Sequence, residues 1–557
     1  MLADFTTSQL LDVLKVLAAR SGVELDIYEA EYDSIEADIL NPASALYAFK
    51  PECVAIFSAG AMLSARYYAA ADRAGFAQDA VNRFTGLWDA FRARSPATLI
   101  QATFPRPSER AFGNFELLAM ESLGSTMMEV NRGLVEAARA RQAILLCDVD
   151  HLAGEIGRVH WQDERMWALA KLPCRLDYIP HLAKQLLDVV LSAMGILVKC
   201  VVLDLDNTVW GGVIGDDGLA GIALGGFDEG EAFVAFQRFL LSLKQRGIIL
   251  AVVSKNDEDN ARLPFRQHPD MVLHEEDIAV FIANWDNKAD NIRLVQKALN
   301  IGFDSMVFLD DNPFERNLVR QHVPGVIVPE LPEDPADYLP ALAALNLFET
   351  ASFSLADRRR ADQYREEASR TLARDVFTNI DDYLCSLGMT AKLERFSPHN
   401  LPRIAQLIQR SNQFNLMTRR HNEAACSRFM DDVYAYAPVT ITLADKYGDH
   451  GLISVIVLAL KGEDIEIDEY LMSCRVLKRG VEQFAMNRIF AFAAARGARR
   501  VMGRYRPTGK NGMVENFYAD FGFARLPGAA EGEMAWARNV ADWVPANTFI
   551  SAEVCDL

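Results

Sequence analysis

The stretch VVLDLDNTVWGGVIGDDG, residues 201–218, sets an apolar run against two aspartates, Asp204 and Asp206, placed two apart. Alternate residues of a strand project to the same side, so both carboxylates emerge together where the buried strand KCVVLDLD ends. Two adjacent anions repel each other and invite a hard, oxygen-seeking cation such as Mg²⁺, which would also neutralise a phosphate. One carboxylate can then attack phosphorus while the other moves a proton. Alone, an Asp-x-Asp pair at a strand end equally describes a solvated turn or a helix cap.

Further strands narrow the choice. IILAVVSK ends on Ser254, NWDNKADN carries Lys288, and SMVFLDD ends on Asp310 and Asp311. The alternation of strands and helices over residues 196–345 predicts a parallel sheet whose polar strand ends share one edge, where open α/β folds bind ligands. Hydroxyls at Thr208 and Ser254 and the Lys288 ammonium suit a phosphate, and the distal carboxylates complete a metal site. Between Asp206 and Ser254 there is room only for a hairpin, a helix and the next strand. From Ser254 to Asp310 the spacing holds only helix-sized connections. No independent cap domain fits, which leaves the site open to something bulky.

A chain of 557 residues predicts three or four domains. With 50% apolar and 24% charged residues it has a globular balance. The net charge of -19 argues against nucleic acid as a partner. The eight cysteines show no CxxC pair and no metal-ligand spacing, which points to reduced thiols in the cytoplasm. The start MLADFTTSQLLDVLKVLAAR reads as a helix and lacks the basic, uninterrupted pattern of a signal peptide. The apolar segment LLDVVLSAMGILVKCVVL is broken by Asp188 and Lys199, so no membrane span is expected.

Residues 1–195 read as an α/β domain through the strands VELDIYEA, ECVAIFSA, ATLIQATF and AILLCDVD. Residues 346–387 read as a charged helical connector. Its Arg358, Arg359 and Arg360 describe a solvated face more readily than an anion site. Residues 388–557 form a separate α+β domain: strand, helix, the hairpin ISVIVLAL-KGED-IEIDEYLM, a helix and a Gly-rich end.

The motif order DLDNT, VVSKND, Lys288, FLDDN resembles the haloacid dehalogenase (HAD) phosphatase superfamily, and in particular its FkbH-like family. The resemblance continues through SNQFNLMTRR, DKYGDHG, EIDEYLMSCRVLKRGVE and PTGKNGMVENFYADFGF, and so covers most of the chain. It implies Asp204 as nucleophile, Asp206 as general acid and base, Thr208, Ser254 and Asn256 as phosphate holders, and Lys288 as charge stabiliser. It also implies Mg²⁺ bound by Asp204, the Asp206 carbonyl, Asp310 and Asp311, with residues 207–218 as a small flap. The last two stretches also look like the acetyltransferase-like (GNAT) fold. That likeness implies a carrier or pantetheine site at Arg475, Lys478, Arg479, Gly480, Asn516 and Tyr518. The first domain looks like the SGNH-hydrolase fold without its catalytic set: Asp177 and His181 are four apart rather than three, no earlier strand bears a GDS serine, and Ser58 is a poor substitute. A docking or oligomerisation role is expected there, with His181 on a helix surface. The expected fold class is therefore multidomain α/β: an SGNH-like domain, a capless Rossmann-like HAD domain and a GNAT-like α+β domain.

The activity the resemblance implies is glyceryl transfer with phosphate removal, from 1,3-bisphosphoglycerate to the phosphopantetheine thiol of an acyl carrier protein. Two rivals are a small-molecule HAD phosphatase with a binding-only C-terminal domain, and a CoA-dependent N-acyltransferase with a regulatory HAD domain. Arg475, Lys478, Arg479, Arg496, Arg499, Arg500, Arg504, Arg506 and Lys510 would offer an acidic carrier a basic face, if they are not simply solvated. A hairpin turn at residues 461–464 pairs Gly451 with Cys474, and one bulge would bring His450 alongside its sulfur. Cys474 is thus a candidate acyl acceptor, or a small buried residue filling the strand.

Overall fold

The chain opens on a strand. In the computed structural model Leu2–Ala3 (β1) pairs in parallel with Cys53–Phe57 (β2), and Thr98–Ala102 (β3) and Ile144–Cys147 (β4) complete a sheet in the order β1-β2-β3-β4. This corrects the expectation of a helical start, since the helix Ser8–Arg20 comes second. It also corrects VELDIYEA as a strand. That segment touches the edge strand through two bonds only, Met1 N to Tyr28 O at 2.7 Å and Ala30 N to Met1 O at 3.1 Å. Its Val23, Leu25 and Ile27 pack partly buried against the core, so alternation survives without a ladder.

All residues are described except 142, 354–360, 362–363, 369, 371–378, 411–413, 420, 422, 474–475, 509–510, 528–531 and 554–557. Arg358, Arg359, Arg360, Cys474, Arg475 and Lys510 therefore lie outside the described residues. The chain forms two compact units, Met1–Asp362 and Gln363–Leu557.

The first unit holds a second parallel sheet, Cys200–Leu203 (β5), Ile249–Ser254 (β6), Ile278–Ala283 (β7) and Met306–Leu309 (β8), in the order β7-β6-β5-β8. β7 lies in the stretch read as helix-sized connections alone, and so corrects that reading. β5 is central and all four of its residues are fully buried, which is why its sequence does not alternate. Each such Val or Leu contributes roughly 1.5–3 kcal/mol. β5 is followed by a short helix, Ile214–Gly221, and then by Glu229–Gln245; Glu258–Gln267 and Lys288–Leu299 fill the next two connections.

The second unit carries a mixed sheet. Its strands are Thr390–Arg395 (β9), Tyr436–Asp445 (β10), Gly448–Lys461 (β11), Asp464–Met472 (β12), Arg500–Tyr505 (β13), Ala524–Leu526 (β14), Met534–Asn539 (β15) and Ser551–Glu553 (β16). Their order is β14-β15-β13-β12-β11-β10-β9-β16. The hairpin turns as read, with Leu460 opposite Ile465. A bulge at Asp468 then places Val457 opposite Glu469 and Ser454 opposite Met472. β12 and β13 pair in parallel only from Asp464 and Arg500 to Ile467 and Gly503. Beyond that they part, and residues 414–416 enter the gap: Leu416 N donates to Tyr470 O at 3.1 Å, Met472 N to Phe414 O at 3.0 Å, and Arg506 N to Leu416 O at 2.9 Å. Part of the stretch read as a connector belongs to this unit, because Arg370 binds Asp445 at the end of β10 at 2.7 Å.

Candidate active site

The ends of β5, β6 and β8 bring the predicted residues together. Asp204 follows β5 and is tied to β8 by its amide, which donates to Leu309 O at 2.9 Å. Its Oδ2 lies 2.9 Å from Lys288 Nζ, while its Oδ1 is buried without a hydrogen-bond partner. Asp310, fully buried, lies 2.6 Å from the same ammonium and accepts the Asn312 amide at 2.8 Å. Burial, with Asp204 alongside, raises the Asp310 carboxyl to about 7. Burial works against the Lys288 charge too, but Asp204 and Asp310 outweigh it and hold the ammonium above its usual value.

Oxygens of Asp204, Asp310 and Asp311 all lie within 4.8 Å of one another. Three carboxylates against one ammonium, with an orphaned oxygen among them, fit a hard divalent cation. The acidic loop is held from behind by Arg316, whose Nη1 donates to Asp310 O at 2.8 Å and Asp311 O at 2.6 Å.

Asp206 is turned away from the ammonium. Its Oδ1 accepts Trp210 Nε1 at 2.9 Å and the Ile214 amide at 3.1 Å, and its Oδ2 accepts Asn256 Nδ2 at 2.8 Å. Burial raises its pKa, against those bonds, which suits a group that must carry a proton. Asn207 adopts a left-handed φ of 53° and its side chain accepts the Gly212 amide at 2.8 Å. A bridge between Gly211 and Ala223 closes the resulting flap.

Two expected phosphate holders do other work in this arrangement. The Thr208 hydroxyl is fully buried and accepts the Asp311 amide at 3.1 Å, so it orders the acidic loop. Asn256 is buried and spends its amide on Asp206 and, at 3.5 Å, on Ser254 Oγ. Ser254 ends β6 beside it and is buried. Trp210 and Arg316 escaped the sequence reading. Trp210, four residues after Asp206, was visible in principle.

The second unit places its expected residues differently. Arg479 is buried and committed: Nη2 donates to Glu367 at 2.7 Å, and Nη1 lies 3.3 Å from His450 Nε2. His450 in turn faces Asp445 Oδ2 at 3.1 Å. Burial alone would raise Asp445, but His450, Arg370 and the Tyr447 amide hold it well below the usual carboxylate range. The bulge at Asp468 shifts the β11–β12 register by one residue between Val457 and Leu458, and the described pairing ends at Ser454 and Met472; the expected pairing of Cys474 lies outside the described residues. Gly480, at φ 83°, precedes the helix Val481–Ala495, and Glu482 in the first turn of that helix accepts the Lys478 amide at 3.1 Å. Lys478 and Asn516 are exposed, whereas Tyr518 is core, packed over Gly503. Three residues of the expected basic face are paired: Arg500 with Asp464, Arg504 with Glu466 and Arg506 with Glu533.

In the first sheet Ser58 donates its hydroxyl to buried Asp4, which directly follows β1 and also accepts the Ala59 amide at 2.8 Å. Asp177 and His181 are exposed at the start of the helix Ile179–Ala193, so no catalytic set forms from these residues.

The family model for the FkbH N-terminal domain matches residues 1–191. The solved N-terminal part of the protein BF1531 from Bacteroides fragilis, containing a phosphatase domain complexed with Mg, is 40% identical. The match covers 63% of this chain and 93% of that one, with a TM-score of 0.60. The ribosomal-protein-S18-alanine N-acetyltransferase from Escherichia coli matches at 11% identity and a TM-score of 0.22, over 27% of this chain and 94% of that one. No curated protein matches the chain. A parallel sheet that gathers Asp204, Asp206, Ser254, Lys288, Asp310 and Asp311 at one edge, under a flap and no cap domain, is a phosphatase domain of the HAD type. The chain belongs to the FkbH family.

Proposed function

We propose that the chain is a cytoplasmic, Mg²⁺-dependent phosphatase coupled to acyl transfer, which takes 1,3-bisphosphoglycerate and leaves a glyceryl thioester on an acyl carrier protein. The observation that carries the phosphatase half is the buried Asp204, with one oxygen on Lys288 and the other unpartnered beside Asp310 and Asp311. Bound there, Mg²⁺ supplies the positive charge that screens a phosphate dianion. Asp204 attacks phosphorus, and the departing ester oxygen takes the Asp206 proton. Asp206 then takes a proton from the water that hydrolyses the aspartyl phosphate. Lys288 and Ser254 hold the phosphate oxygens.

A glyceryl product requires both phosphates to leave by different bonds. The ester phosphate goes by the route above. The acyl phosphate goes when a thiol attacks its carbonyl, breaking the acyl C–O bond and releasing phosphate, while the thiol proton passes to solvent. The family resemblance supports glycerate as the acyl group, and the small flap supports a bulky, carrier-borne substrate.

A second reading, a phosphatase whose second unit only binds, is favoured by residues 414–416 filling the gap between β12 and β13. The same feature weighs against a CoA-dependent N-acyltransferase. The deciding experiment incubates the protein with Mg²⁺, a 1,3-bisphosphoglycerate-generating system and holo carrier, then measures the intact carrier mass. A glyceryl increment supports coupled transfer. Phosphate release with an unmodified carrier supports the second reading.

A further inference from the structure

A cavity of about 490 Å³ opens beyond the ends of β3 and β4, between Arg106, Arg158 and the helix Val149–Ile156 with its cap Asp148. Open α/β sheets bind ligands outside these strand ends, and none of the lining residues belongs to the phosphatase site. The two strand ends are clamped together. Thr103 Oγ1 donates to Asp148 Oδ1 at 2.9 Å and accepts the Asp150 amide at 3.1 Å. The Asp150 carboxylate accepts the Arg106 amide at 2.9 Å, Arg106 Nε at 3.2 Å and Arg158 Nη2 at 3.0 Å. Arg158 lies over Gly154, where a Cβ would stand 3.2–3.5 Å from three guanidinium atoms. Both guanidiniums are thus held in place before any ligand arrives, which lowers the cost of binding one.

The Asp150 side chain is 19% exposed and both its oxygens are engaged, whereas Arg158 and Arg106 are 29% and 37% exposed. Arg106 Nη2 and Arg158 Nη1 have no hydrogen-bond partner among the described residues. Two guanidiniums against one carboxylate leave a single net positive charge, which matches a carboxylate and falls short of a phosphate dianion. The helix supplies the opposite sign. Asp148 engages Oδ1 alone, and Glu155 meets His151 Nε2 through Oε1 at 3.2 Å, so one oxygen of each carboxylate is left over. A bare anion would meet these carboxylates and a bare cation the guanidiniums, but a molecule with both charges satisfies both. We propose that the cavity binds a small aminocarboxylate, its carboxylate on Arg106 and Arg158 and its ammonium on Asp148 and Glu155. The first sheet then has a ligand of its own, beyond the docking or oligomerisation role that its sequence implied.

The test is titration calorimetry on the full chain with ω-amino acids from glycine to 6-aminohexanoate, each against the carboxylate and the alkylamine of the same chain length. None of these probes is a phosphoester, so the phosphatase site does not enter. The wild type should bind its best amino acid about tenfold or more tightly than either counterpart, as expected when each end makes a charge-assisted hydrogen bond. Arg158→Gln should weaken that amino acid about tenfold. Glu155→Gln should reduce its preference over the carboxylate about threefold, the scale of an exposed charge pair. Glu155 is exposed, so this second variant tests the site even where the first fails to fold. Equal affinity for the three probe classes, no binding by any of them, or an unaltered preference in Glu155→Gln would overturn the inference.

Discussion

Lys288 and Asp310 meet at 2.6 Å with both side chains buried, and the same ammonium reaches Asp204 at 2.9 Å. An ion pair so enclosed is costly to break and leaves Asp204 in a fixed place. The geometry binds the loop after β7 to the ends of β5 and β8.

Asp204→Asn should lower phosphate release by a thousandfold or more, on the order seen when a nucleophile is removed. Asp206→Asn should lose about 10²- to 10⁴-fold, through proton transfer. Both variants should keep the near-UV circular dichroism of the wild type. Near-normal turnover by a folded Asp204→Asn protein would remove the aspartyl-phosphate route.

The Asp310 carboxyl, raised to about 7 from the ordinary 3.8, makes the ion-free protein sensitive to pH. Between these values the folded state holds a proton that the unfolded chain has released, so this contribution is complete below about pH 4 and is lost as pH rises through about 7. Treated with EDTA, the protein should show a Tm that falls from about pH 4 to about pH 7 more steeply than that of Asp310→Asn. Added Mg²⁺ should reverse the fall at the alkaline end. A Tm difference between the two proteins that stays constant with pH would contradict the assignment.

Asp445 accepts Arg370 at 2.7 Å, the Tyr447 amide at 2.9 Å and His450 at 3.1 Å, at a fully buried position. Neutralising it removes the bidentate partner of Arg370, whose side chain is 3% exposed, and leaves Glu366 and Glu367 to hold that charge. Asp445→Asn should cost about 3–5 kcal/mol in urea unfolding of the second unit.

A Cβ on Gly503 would stand 2.1 Å from the Tyr518 ring. Gly503→Ala should therefore destabilise by about 1–3 kcal/mol. Combining it with Tyr518→Ala should show a non-additive term of about 1 kcal/mol or more in a double-mutant cycle. Strict additivity would mean that the ring can swing aside.

Cys474→Ala should lose acyl loading of the carrier and still release phosphate at Asp204. Intact-carrier mass and a phosphate assay, run on the same sample, check both arms. Normal loading would send the acyl group straight from the acyl phosphate to the pantetheine thiol.

The central strands of the phosphatase sheet were legible because burial on both faces leaves an uninterrupted apolar run, as in β5, that ends on polar residues. The pairing of Asp204 with Asp206 and the spacing to Lys288 and Asp310 were legible for the same reason: each lies at a strand end or one turn beyond it. β1 has two residues, too few for any period to show. VELDIYEA has the period but no neighbour to complete a ladder. In the second unit the ion pairs of Arg479, Arg500, Arg504 and Arg506 were not legible because their partners, Glu367, Asp464, Glu466 and Glu533, are remote in sequence. Whether an arginine is free depends on the fold, and composition cannot show it.

Residues 414–416 bond at once to β12 through Tyr470 and Met472 and to the start of the loop after β13 through Arg506, while the Asn415 carbonyl accepts the Asn511 side chain at 3.0 Å. Segments nearly a hundred positions apart are thereby cross-braced at one point, and none can detach while the others remain. Amide exchange at Leu416, Met472 and Arg506 should then proceed through a single shared opening, with equal protection free energies, so that this seam unfolds as one cooperative element.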